Sequence, residues 1–161
     1  VGLIARMIDR INPDAVCIDV GGSHAVADRL IELNYQNIYK INFGSSAIKK
    51  DVYLNKRVEI WDEMRVWLLD YPCQIPDSTV KHASVLHSDL SAPRYTYDSS
   101  RRKVLESKEK MKLRGVASPD LGDALALTFA VHVQPRVKRE EPWRDRLKKR
   151  QSSQTDSAMT A

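Results

Sequence analysis

Leu3, Ile4, Met7, Ile8 and Ile11 fall on one face of a helical wheel, which predicts a helix over residues 2–12 that Asn12 and Pro13 stop. AVCIDV, residues 15–20, then runs without polar alternation, as expected of a strand covered on both faces of a parallel sheet. Gly21-Gly22 makes a tight turn, Ser23 offers a cap, and Val26, Leu30 and Leu33 mark a second helix. NIYKINF, residues 37–43, alternates as a strand does. Helix, strand, helix, strand is an α/β wind, whose crossovers are expected to be right-handed.

After Gly44 a polar loop, SSAIKKDVYLNKR, leads into a long helix at about residues 53–70, with Trp61, Met64 and Leu68 on one stripe and Pro72 beyond its end. Residues 74–100 hold a short helix around 83–90 and a strand or extended piece in PRYTYDSS. RRKVLESKEKMKLRG follows, with seven Lys/Arg against two Glu, and closes at Gly115 as a helix C-cap would. Ser118 and Pro119 predict the N-cap and first-turn proline of a last helix running to about Val133. That helix is apolar nearly all round and hence expected to be buried, and its acids, Asp120 and Asp123, are confined to the first turn. Residues 1–133 are therefore one α/β domain. Residues 134–161 are a charged and then Ser/Thr/Gln-rich tail, too poor in apolar residues to fold alone, with room for a short basic helix at 143–150.

Composition narrows the class. With 161 residues the chain is about one domain, 42% of it is hydrophobic, and no apolar run approaches the roughly 18 residues a bilayer span needs. Cys17 and Cys73 form no paired framework, so a reducing compartment is expected. No signal-peptide pattern opens the chain; it starts at Val1 with no methionine before Met7, the mark of a piece of a longer polypeptide. The net charge of +5 is mostly a property of the tail: from Gln134 onward there are 8 Lys/Arg against 4 Asp/Glu, leaving 18 against 17 in the body.

Candidate chemistry rests on carboxylates. Asp19 stands at the carboxyl end of an apolar strand, the edge beyond which open α/β sheets bind ligands. A carboxylate there needs a cation or a hydrogen-bond donor, and the alternative to a ligand role is that Asp19 caps the Gly21-Gly22 turn or the following helix. Asp120 and Asp123 can serve the dipole at the start of their helix, a stabilisation of roughly 0.3–1 kcal/mol, which accounts for an exposed Asp better than for Asp123 on the flank of Ala124 and Leu127. Converging carboxylates repel unless a cation joins them, and hard divalent ions such as Mg²⁺ or Mn²⁺ take oxygen ligands. A pair of such ions clamps the attacking and leaving oxygens of a phosphodiester. Arg102, Lys103, Lys108, Lys110, Lys112 and Arg114 would then meet phosphates beside the metals; otherwise they form a solvated charged face. Other chemistries are weaker. GSSAIKK lacks the second glycine of a phosphate-binding loop, Gly21-Gly22 lacks the third glycine of a dinucleotide fingerprint, and His82 and His87 have no zinc-site spacing with the cysteines. Trp61 and Trp67 are assigned to packing.

CIDVGGSHAVADRL, INFGSSA, YLNKRVEIWDEM, YTYDSSRRKVLESKEKMKLRG and SPDLGDALALTFA, in that order, resemble the C-terminal nuclease domain of the large terminase subunit of tailed double-stranded DNA phages. The resemblance covers residues 1 to about 133. It implies a ribonuclease H-like fold, a mixed sheet flanked by helices and truncated here at its N-terminus. It also implies an endonuclease that cuts concatemeric viral DNA in the bacterial cytoplasm at the start and end of head filling, with two Mg²⁺ or Mn²⁺ ions. An ATP-driven motor would precede it, and the portal protein and small terminase subunit would be partners. Of the family's three metal-site acids, the second matches Asp19 and the third matches Asp123. Asp120 matches a position that in some relatives adds a further metal-site group. The first acid and its strand would lie upstream of Val1, which predicts weak or no cleavage by these residues alone and an unpaired strand edge prone to self-association. A catalytically dead prophage remnant, or a module that binds DNA or the portal, is the alternative.

Overall fold

Residues 1–71 and 81–134 are described by the computed structural model. Among them run α1 (Gly2–Ile11), β1 (Val16–Asp19), α2 (Ala25–Glu32), β2 (Ile38–Ile41), α3 (Lys56–Asp70), α4 (Ala83–Ser91), β3 (Tyr95–Tyr97), β4 (Lys103–Leu105), α5 (Lys108–Leu113) and α6 (Asp120–Leu127). β1 and β2 pair in parallel, from Val16 opposite Ile38 to Asp19 opposite Ile41, with α2 between them in sequence and packed on β2. β3 and β4 form a separate antiparallel pair, Tyr95 opposite Leu105. A parallel bridge from Tyr53 to Lys103 ties the loop before α3 to β4.

α3 is the hub. Its Ile60, Trp61 and Met64 close against Ala126 of α6, and Phe43, Leu90, Leu105, Leu125 and Phe129 pack around them. The helix starts at Lys56 rather than near residue 53, because the Asn55 side chain accepts the Val58 amide at 3.1 Å and Tyr53 is committed to the bridge with β4. Glu59, fully buried, anchors the preceding loop: its carboxylate accepts the amides of Ile48 and Lys49 at 3.0 and 2.9 Å and the Lys56 ammonium at 3.1 Å.

Four expectations are corrected. β1 is half-buried and ends in an exposed Asp19, since among the described residues its one strand neighbour is β2. α6 is buried on one face, through Gly122, Asp123 and Ala126, while Leu121 stays exposed. It also ends at Leu127, six residues early. The amides of Thr128, Phe129 and Ala130 turn back three residues to Leu125, Ala126 and Leu127, and the Thr128 hydroxyl donates to the Leu125 carbonyl at 2.7 Å. At its other end Pro119 occupies the cap position, and Ser118 gives its hydroxyl to the Asp120 carboxylate instead of receiving a helix amide.

The basic segment divides into β4 and α5. Ser107 caps α5, and Gly115 follows its C-cap with φ 74°, the left-handed conformation its position predicts. α1 forms as expected, closed by Asn12 in the left-handed region, yet buries no residue: Leu3, Met7 and Ile11 are exposed. Pro72, Cys73 and the 143–150 helix lie outside the described residues.

Candidate functional site

The first turn of α6 delivers Asp123 into the interface with α3, where the residue is 6% exposed. Such a charge must be met by donors or cations. Arg57 and Trp61, one turn apart on α3, both address one oxygen: Arg57 Nε donates to Oδ1 at 3.0 Å and Trp61 Nε1 at 2.8 Å. Arg57 is itself fixed, its Nη1 donating to the Glu106 carbonyl at 3.3 Å. The other oxygen is treated differently. Lys108 Nζ lies 3.0 Å from Oδ2 as an ion pair, yet Oδ2 receives no hydrogen bond and is buried. The lysine side chain is 46% exposed, so solvent screens much of its attraction. A buried anionic oxygen without a hydrogen-bond donor suits a hard cation.

The mount of Asp123 is equally specific. Asp89 of α4, buried, accepts the Leu121 amide at 2.8 Å and the Gly122 amide at 3.3 Å, so a carboxylate from another helix caps α6. Gly122 is required by contact: a Cβ there would sit 2.8 Å from Cη2 of Trp61.

Of the sequence-predicted acids, Asp123 is the one built into this site. Asp19 ends β1, a strand that α6 contacts. Its Oδ1 accepts the Gly21 amide at 3.0 Å, so the turn-serving role is realised. A Cβ on Gly21 would lie 3.3 Å from Asp19 Oδ1 and 3.9 Å from Asn42 Oδ1, so both oxygens line the space above that glycine. Asp120 is exposed, accepts the Ser118 hydroxyl at 2.7 Å and has Lys108 Nζ at 3.7 Å. Among the described residues no three His, Cys, Asp or Glu side chains come together as a ready metal cluster.

Most of the predicted phosphate-facing residues have partners inside the fold. Arg102 pairs with Asp98 at 2.8 Å, Lys103 with Asp62 at 2.7 Å, Arg114 with Glu106 at 2.6 Å and Lys108 with Asp123. Lys110 and Lys112 are exposed and carry no ion pair among the described residues. Asp62 also accepts the Tyr53 hydroxyl at 2.8 Å. Burial raises the Asp62 carboxyl, but Lys103, Tyr53 and Arg65 outweigh it and hold the pKa below its ordinary value, while burial and Asp62 push the Tyr53 hydroxyl up to about 12.

Sequence reasoning missed four residues: Arg57, the donor role of Trp61, Asp89 and Glu59. The one available signal was VEIW, a carboxylate inside an apolar stripe.

Three solved structures are similar to this chain in fold. The nuclease domain of the large terminase subunit gp2 of bacterial virus Sf6 superposes with TM-score 0.62 at 17% identity, covering 80% of this chain and 70% of that one. A lysine-to-alanine mutant of that domain, solved with manganese, gives TM-score 0.62 at 16% identity over 79% of this chain and 70% of its own. The same mutant with calcium gives TM-score 0.62 at 16% identity, over 79% and 69%. No family model and no curated protein sequence matches the chain. The chain thus has the ribonuclease H-like fold of a terminase nuclease domain, as the sequence blocks imply. No helix of the described residues is long and apolar enough to cross a membrane.

Proposed function

We propose that the chain is the nuclease portion of a viral DNA-packaging terminase, hydrolysing phosphodiesters of concatemeric double-stranded DNA. The observation that carries this reading is Asp123: a buried carboxylate with one oxygen doubly hydrogen-bonded and the other met by the half-exposed Lys108 ammonium as an ion pair, on a fold shared with nuclease domains solved with manganese and calcium. Asp123 and Asp19 are the assigned metal ligands, and Asp120, exposed one turn earlier, is an outer contributor. Two bound Mg²⁺ or Mn²⁺ ions would supply charge neutralisation at the attacking and leaving oxygens. The chain's own residues hold and frame that chemistry. Arg57 and Trp61 fix Asp123, Lys108 adds positive charge at its other oxygen, and the exposed Lys110 and Lys112 would meet phosphates. Double-stranded DNA is the substrate. The portal protein, the small terminase subunit and an ATP-driven motor are the expected partners, in the cytoplasm of a bacterial host.

The test is nicking of supercoiled plasmid in Mn²⁺ by a polypeptide containing this chain. Loss of nicking in Asp19→Ala and in Asp123→Ala is expected, and variants that both cut as fast as the parent overturn the assignment.

A second reading is a non-catalytic module, such as a prophage remnant that binds DNA or the portal. It is favoured by Asp19 serving Gly21 and by the lack of a three-ligand cluster among the described residues. DNA binding with a steep salt dependence and no response to metal would select it.

A further inference from the structure

Oδ1 of Asp123 already receives two donors, and neither can withdraw. Arg57 is 12% exposed and bridges Asp123 to the Glu106 carbonyl, so it joins α6 to the end of β4. Trp61 belongs to the central apolar cluster, and its ring edge abuts Gly122, the residue before Asp123. A cation approaching Oδ1 would meet a guanidinium and an indole N–H, both presenting positive charge. Oδ2 has no hydrogen-bond donor, and the positive group facing it, Lys108, sits on an exposed side chain that can swing into water.

We propose that Arg57 and Trp61 are positioning residues that clamp one oxygen of Asp123, so that it meets a divalent cation through Oδ2 alone. The proposal rests on the reading of Asp123 as a metal ligand. Its consequence is that α3, which carries no ligand, sets where the metal lies: the carboxylate cannot rotate to chelate with both oxygens. Groups that orient a ligand in this way are commonly worth about 10- to 100-fold in metal affinity.

The experiment follows the Trp61 indole N–H by NMR during Mg²⁺ titration, and measures Mn²⁺ affinity by calorimetry in the parent, Trp61→Phe, Arg57→Lys and Asp123→Asn. Trp61→Phe keeps an aromatic ring and loses the donor. Arg57→Lys keeps the charge and cannot serve both Asp123 and Glu106. Expected are a Mg²⁺-dependent shift of the indole resonance in the parent that Asp123→Asn abolishes, and an Mn²⁺ affinity lowered about tenfold or more in both clamp variants. Clamp variants that fold cooperatively and bind Mn²⁺ within about twofold of the parent overturn the clamp, while Asp123→Asn still fails to bind. Should Trp61→Phe unfold, Arg57→Lys alone decides. A parent that binds no Mn²⁺, or an Asp123→Asn variant that binds as the parent does, overturns the metal reading beneath it and the clamp with it.

Discussion

Trp61 and Gly122 meet so closely that no side chain fits between them: a Cβ at 122 would lie 2.8 Å from Cη2 and 3.2 Å from Cζ2 of the indole. The ring cannot move aside cheaply, because its N–H is bonded to Asp123 and its body is buried among Ile60, Met64 and Ala126. Gly122→Ala should therefore destabilise the fold. The gain in helix propensity is about 1 kcal/mol and the overpacking costs about 1–3 kcal/mol, with the upper end expected here because the neighbour is pinned. Urea denaturation should show a lower midpoint with an unchanged slope.

Asp89 is the cap of α6, although it lies in another helix. Asp89→Ala leaves two α6 amides without their acceptor and should cost about 1–2 kcal/mol, again by denaturation midpoint. Asp89→Asn retains an acceptor oxygen and should lose less.

Glu59 and Asp62 give the fold an acid-sensitive side. Burial raises the Glu59 carboxyl, but the amides of Ile48 and Lys49 and the Lys56 ammonium outweigh it, so its folded pKa lies below the ordinary 4.5. Asp62, opposed by burial but held by Lys103, Tyr53 and Arg65, lies below its ordinary 3.8. A depressed folded pKa means stability that is fully present above the unfolded value and lost as pH falls through the folded one. The denaturation midpoint should thus hold down to about pH 5 and decline below it. Glu59→Gln should flatten that decline, and an equal decline in the variant would show that Glu59 is not its source. Glu63, whose carboxyl burial pushes up, works in the opposite sense and softens the slope.

Lys110 and Lys112 differ from Arg102, Lys103, Lys108 and Arg114 in having no ion pair among the described residues. Their joint replacement by alanine should weaken DNA binding and reduce the dependence of log affinity on log salt by about 0.9 for each phosphate left unneutralised. Lys103→Ala should instead lower stability, since it removes the partner of Asp62 at 2.7 Å, and leave the salt slope in place. Fluorescence anisotropy at several salt concentrations separates the two outcomes.

What was legible in the sequence was what local periodicity encodes. Leu3, Met7 and Ile11 announced α1, Gly115 announced the end of α5, and the carboxylate on the apolar flank of the last helix announced the burial of Asp123. What was not legible depends on residues distant in the chain. Nothing near Arg57 indicates that Asp123, 66 residues on, will accept a hydrogen bond from its Nε. Ser118 looked like the cap of α6 because local capping patterns are common, and the real acceptor came from Asp89 through tertiary packing. The early stop at Leu127 has the reverse origin, since Thr128 offered a local hydroxyl that apolar periodicity does not register. The basic run looked like one phosphate-facing surface because counting charges cannot show that Asp62, Asp98, Glu106 and Asp123 lie waiting for four of its members.

The most direct test of the metal site is an anomalous difference map from crystals of this protein soaked in Mn²⁺. A peak within bonding distance of Asp123 Oδ2, with Asp19 beside it and Oδ1 still bonded to Arg57 and Trp61, is the predicted result. A map with no peak at Asp123, while Lys108 stays on its carboxylate at saturating Mn²⁺, would contradict it.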